Sequence, residues 1–371
     1  MSKLLRCATL IAAIGLVAAA PSARIDPARL AGFTDLYAPQ VKGKDYELYL
    51  ASYKGEDIRG DIVQRRRGDW VKVEAREGKG LNVQYIHIPT GVVIERAGDF
   101  LNIRSPESAP TPGIDYASKK TSRSWTAAGQ KCRIWEVYRG VDAGYTIFTR
   151  FGCLTGDGIE VARWTTGRAG GDVGEKTTGY HLVRRKLQDA DVRPSAPTFD
   201  LAVWLAGAPK PSGADFEVVL KAEQGPERMT IRRQGDWIFK ETVNADGSRD
   251  LFTDGDGGVS ISARIGAGGR PLSFTARKQP PIDLPPDVRS QEPGREILGL
   301  KCEWFTPAVA VADAGYAECR TADGVILAVS RSGRAGDVTY VADSVSRRPL
   351  ATADLLPPGW LLDPARWGAG V

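Results

Sequence analysis

The residues able to do chemistry are few. His87 and His181 are the only histidines of the chain. A His-rich metal centre is therefore excluded, and a histidine-based triad has little to draw on. No G-x-S-x-G, H-E-x-x-H, P-loop or dinucleotide fingerprint occurs. Asp254-Gly255-Asp256-Gly257-Gly258 looks like the start of a calcium loop, but Ile265 stands where an EF-hand needs its late glutamate, so a hairpin tip is the simpler reading. The pattern assigns no catalytic residue, no metal site and no cofactor, and points to a non-enzymatic protein.

Two basic runs, Arg65-Arg66-Arg67 and Arg184-Arg185-Lys186, are candidates for contact with anionic lipid or phosphate; near a sheet edge the same residues would discourage edge pairing. Tryptophans spread over the chain, among them Trp70, Trp135, Trp164, Trp237 and Trp304, are candidates for a core or for the wall of an apolar ligand cavity. The formal net charge is only +5, too mild to make nucleic acid the main partner.

Lys3 and Arg6 precede an apolar run over Ala8–Ala20 and then Pro21-Ser22-Ala23. This is the pattern of an export signal, assigned to residues 1–23, and the run is short for a membrane span. The expected protein is periplasmic or secreted and not an integral membrane protein. Cys7 would leave with the signal, so four cysteines would meet an oxidising compartment: Cys132, Cys153, Cys302 and Cys319. Three connectivities are open to them.

A repeat selects among these. Arg65–Trp70 recurs as Arg232–Trp237, Gly129–Cys132 as Gly299–Cys302, Cys153–Ile159 as Cys319–Val325, and Arg184–Leu187 as Arg347–Leu350, in one order and at offsets between 163 and 170. The period is that of domains rather than solenoid units. A tandem duplication follows as the expectation, with a first β domain over 24–204, a linker over 205–214 and a second β domain over 215–371. Pairs within each copy, Cys132–Cys153 and Cys302–Cys319, are then the simplest disulfides. Neither histidine recurs in the second copy, which counts against catalysis.

The elements that must position these residues read as strands. Segments such as Trp237–Val243 and Val259–Ile265 are rich in β-branched and aromatic residues, alternate apolar with polar, and are separated by Gly-Asp and Asp-Gly steps. Gly68-Asp69 and Gly235-Asp236 are expected to turn one equivalent hairpin in each copy. Helix signals are confined to short turns at Asp26-Pro27, Asp200–Leu205 and Leu361–Trp367, and Gln279–Pro286 reads as an extended connector. The fold class is mainly β: two tandem, similar antiparallel curved-sheet domains with few short helices.

Tyr53–Arg59, Thr90–Val93, Gly129–Cys132 and Gly156–Ile159 together resemble an exported bacterial domain family of unknown function, distantly similar to the lipoprotein-carrier fold of the Lol type. The second copy keeps the later motifs, Gly299–Cys302 and Ala322–Val325. The resemblance implies a half-barrel with a helical lid over an apolar cavity, and a lipid or acyl chain as ligand. The same fold type serves in envelope-stress sensing, so a scaffold that binds an envelope protein, without a small-molecule ligand, is the alternative.

Overall fold

The computed structural model describes residues 45–106, 114–115, 119–142, 145–167, 175–208, 210–255, 258–278, 287–306, 315–333 and 336–369. The residues read as an export signal, the expected turn at Asp26-Pro27, the expected connector over 279–286 and the middle of the acidic loop lie outside these residues.

The first half contributes β1 (Tyr46–Lys54), β2 (Asp57–Arg67), β3 (Trp70–Glu77), β4 (Gly80–His87), β5 (Val92–Ala97), β6 (Phe100–Arg104), β7 (Ile114–Asp115), β8 (Lys119–Ala127), β9 (Gln130–Asp142), β10 (Tyr145–Leu154), β11 (Glu160–Gly167) and β12 (Glu175–Val183). After α1 (Leu201–Leu205), the second half contributes β13 (Asp215–Ala222), β14 (Arg228–Gln234), β15 (Trp237–Val243), β16 (Arg249–Gly255), β17 (Val259–Ile265), β18 (Pro271–Lys278), β19 (Val288–Arg289), β20 (Arg295–Ile297), β21 (Leu300–Thr306), β22 (Gly315–Arg320), β23 (Ile326–Gly333) and β24 (Gly336–Ser346). Single 3₁₀ turns at Thr352–Leu355, Gly359–Leu362 and Pro364–Trp367 close the chain. No described helix is long and apolar enough to cross a membrane.

All pairings are antiparallel, and the strands form one large sheet that is not closed. In the first half the spatial order is β8-β9-β10-β11-β12-β1-β2-β3-β4-β5-β6. The second half runs β18-β17-β16-β15-β14-β13-β24-β23-β22-β21. The halves join where β6 pairs with β18, with Ile103 opposite Phe274 and Leu101 opposite Ala276.

The strands obey their two-residue period. In β17, Val259, Ile261, Ala263 and Ile265 are buried while Ser262 and Arg264 are exposed. The buried face around the seam carries Ile94, Leu101, Ile103, Phe274, Ile261 and Phe239. It is covered by the short helical segments that end each half, through Trp204 and Trp367. Each of those indoles donates to a backbone carbonyl: Trp204 to Thr198 at 3.2 Å and Trp367 to Leu361 at 2.8 Å. A one-faced sheet thus finds its cover in α1 and the 3₁₀ turns.

The expected hairpins form. Arg67 pairs with Trp70 and Gln234 with Trp237, with Gly68 and Gly235 at φ of 53° and 57°. That conformation is the hairpin requirement for glycine. Both expected disulfides are present, Cys132–Cys153 and Cys302–Cys319.

Candidate functional site

Corresponding residues of the two halves make the same bonds. Leu187 N donates to Asp45, and Leu350 N to Asp215, each at 2.9 Å. Arg65 and Arg185 both pair with Glu47; Arg232 and Arg348 both pair with Glu217. Arg184 holds Asp157 and Arg347 holds Asp323. In each turn a threonine hydroxyl donates to that aspartate.

These bonds engage the arginines of the basic runs. Arg65 also reaches Glu74, Arg66 Nε donates to Gly68 O, and Arg67 pairs with Asp45 and Asp189. Burial works against ionised Glu47, but the Tyr49 hydroxyl and the two guanidiniums overcome it and hold the carboxyl below its ordinary range. Arg65, Arg67, Arg184 and Arg185 are thus engaged by carboxylates of the same chain, and Arg66 by a backbone carbonyl.

Buried polar side chains meet across the interior of the curl. In the second half Lys240, on β15, reaches Glu318, on β22, at 2.9 Å and the Tyr316 hydroxyl at 2.5 Å. Strands β14, β13, β24 and β23 lie between those two in the sheet, so the contact spans the concave face. Tyr316 donates to Glu318, and Arg320 binds both Glu318 and Asp287. Burial opposes the Glu318 charge, yet Lys240 and Arg320 hold its carboxyl at about 2. In the first half, Gly152 stands at the position corresponding to Glu318. A Cβ there would lie 2.5 Å from Glu160 Oε1, so the buried Glu160 side chain occupies that space. Burial pushes its pKa up, against the pull of Arg150 and Arg163.

The tryptophans divide. Trp70, Trp237 and Trp304 are buried in core clusters. Trp164 stacks on Phe151 at 5.5 Å. Trp135 is half-buried and lines a groove of about 740 Å³ at the outer end of the first half. Cross-strand register builds this groove: Lys120 stands opposite Trp135, Ser124 opposite Arg133, and Arg133 opposite Leu154. Lys131 and the Thr155–Gly158 turn complete the wall. Lys120 Nζ sits 6.0 Å from the Trp135 ring centre, and Arg133 donates to Ser122 O. Among the described residues Lys120 and Lys131 have no ion pair. Asp157, the one carboxylate of the wall, is held ionised by Thr155 and Arg184 against the effect of burial. The groove therefore presents uncompensated positive charge beside an apolar floor of Trp135 and Leu154. The second half lacks this field, because Glu303 stands where the first half has Arg133 and is paired with Arg289.

His87 lies tilted against Trp70, 4.9 Å between ring centres, with Nδ1 2.8 Å from Thr90 Oγ1, and burial lowers its pKa. His181 lies beside Tyr49, 5.7 Å between ring centres. The two are on different strands with different neighbours. No group of three or more His, Cys, Asp or Glu able to hold a metal occurs among the described residues.

Lys120, Lys131, Arg133, Lys240 and Glu318 do not stand out in the sequence. The only signal for the groove is local: β8 and β9 carry Lys119, Lys120, Arg123, Lys131, Arg133 and Arg139 against Glu136 and Asp142.

No protein-family model matches the chain, and no curated protein is similar to it. Among solved structures it is similar to MucB at 11% identity and a TM-score of 0.28, over 68% of this chain and 90% of that one. Two structures of PNGF-II are similar at 12% and 13% identity, each with a TM-score of 0.30 and over 81% of this chain. The alignments cover 64% and 65% of those chains.

Proposed function

We propose that this is an exported, non-enzymatic binding protein built by tandem duplication, and that its ligand is an anionic amphiphile held in the groove of the first half. The negatively charged group would face Lys120, Lys131 and Arg133, and the apolar portion would lie over Trp135 and Leu154. The observation that carries the reading is unpaired positive charge around an apolar floor, in a chain whose arginine runs are engaged by its own carboxylates and, at Arg66, by a backbone carbonyl. The groove volume, about 740 Å³, falls within the range of roughly 300–1,000 Å³ typical of small-ligand sites. Two intrachain disulfides fit an oxidising compartment.

This refines the expectation of an acyl chain in a covered apolar cavity. The concave face of the second half carries a buried ion-pair network, and the helical segments cover the seam. That buried network also favours the second reading, an envelope scaffold that binds a protein and no small molecule.

Native mass spectrometry of protein purified from its host separates the two. The binding reading predicts a discrete adduct of amphiphile mass that is lost in the Lys120→Ala/Lys131→Ala variant. An adduct-free protein under gentle desolvation favours the scaffold.

A further inference from the structure

The opposite face of the same strands carries a second, independent feature. Trp125, on β8, is 36% exposed and meets Trp164 edge-on at 5.8 Å; Trp164 in turn stacks on Phe151. Two cations crown these rings: Lys176 lies 5.4 Å over Trp125 and Arg123 5.7 Å over Phe151. Register carries the row further across the sheet, from Lys176 to Tyr53 on β1 and from Tyr53 to Ile58 on β2, which is 68% exposed. Lys119 flanks the row through its pairing with Glu136, whose carboxylate is bound to Arg139. Glu56 and Asp57, in the turn beside Ile58, mark its acidic limit. In the second half the corresponding positions are small or polar: Ala317 and Ser330 stand opposite each other where Phe151 and Trp164 do, and Thr339 follows.

We infer that this row is a docking surface for an anionic phospholipid bilayer. Indole rings favour the headgroup level, where one end is apolar and the other wet. Arg123 and Lys176, on stems that lie along the rings, place their charges where lipid phosphates would be. Exposed Trp125 and Ile58 supply the apolar contact that charge alone lacks. The row is on the other face of the sheet from the groove and does not depend on it.

The test is flotation of the natively processed protein with vesicles of phosphatidylglycerol and phosphatidylcholine, against pure phosphatidylcholine, at low salt. Binding to the anionic vesicles is expected, with a blue shift of tryptophan emission. Arg123→Gln and Lys176→Gln should each lower the partition constant about fivefold, and Trp125→Ala should abolish the blue shift. Trp125→Tyr, which keeps an interfacial ring, should restore binding, so loss through misfolding is distinguished from loss of contact. Equal binding to neutral vesicles, no binding at all, or indifference to Arg123→Gln and Lys176→Gln would overturn the inference. Arg123, Lys176 and Trp125 do not line the groove, so the effect of these substitutions on flotation is read apart from it, and failure of the groove reading would leave this result standing.

Discussion

Replacing Glu318 by Gln removes the centre of the buried network while leaving its shape. The carboxyl is held at about 2 against an ordinary 4.5, and a difference of that size contributes about 3 kcal/mol to folding at neutral pH. Because the folded pKa is depressed, the contribution is complete above the unfolded value near 4.5. It is lost as pH falls through about 2, with about 2 kcal/mol gone by pH 3. The substitution also leaves Lys240, whose side chain is only 16% exposed, without its carboxylate, a further cost. Urea unfolding at pH 7 should therefore show Glu318→Gln less stable by about 3–5 kcal/mol, and the gap should shrink by about 2 kcal/mol at pH 3. Combining Lys240→Met with Glu318→Leu should recover most of the loss, since apolar residues of similar volume often replace a buried pair at little cost. A gap independent of pH, or a single variant as stable as the parent, would refute this account of how the second half is filled.

Three further outcomes follow from the geometry. Replacing Cys132 and Cys153 together by Ser opens a loop with a sequence separation of 21 and should cost about 3 kcal/mol, read as a lowered denaturant midpoint; mass mapping without reductant should recover the two intrachain pairs. Gly235→Ala should destabilise clearly more than Gly68→Ala, although both have positive φ, because a Cβ at Gly235 would lie 1.7 Å from Ser212 O while one at Gly68 meets nothing; paired thermal melts compare them, with about 1 kcal/mol expected at Gly68. Trp367→Ala should cost about 3–5 kcal/mol and disturb both halves, because its cluster includes residues of each; melting in two separate steps would contradict a shared core.

Local features were readable from the chain. Trp237–Val243 and Val259–Ile265 form strands with those very ends, because alternation and turn chemistry are set within a few residues. Strand β12 ends at Val183. Beyond it Arg184 and Arg185 turn to Asp157 and Glu47, and Leu187 N is taken by Asp45. These acids lie far off in sequence, so the basic runs looked like free charge. The same distance hid the join of β6 to β18 and the Lys240–Glu318 pair, which depend on how the sheet continues and curls. Lys120, Lys131 and Arg133 are ordinary residues one by one. Only the β8–β9 register brings them around Trp135.

The most direct test of the central claim is isothermal titration of a matched pair of short-chain amphiphiles, below their critical micelle concentrations. One carries a phosphate head and the other a neutral sugar head on the same chain. The groove reading predicts saturable binding of the phosphate amphiphile at one site, at least tenfold weaker binding of the neutral one, and loss of that preference in the Lys120→Ala/Lys131→Ala variant. Equal affinity for both heads, or a preference that survives in the variant, would contradict it.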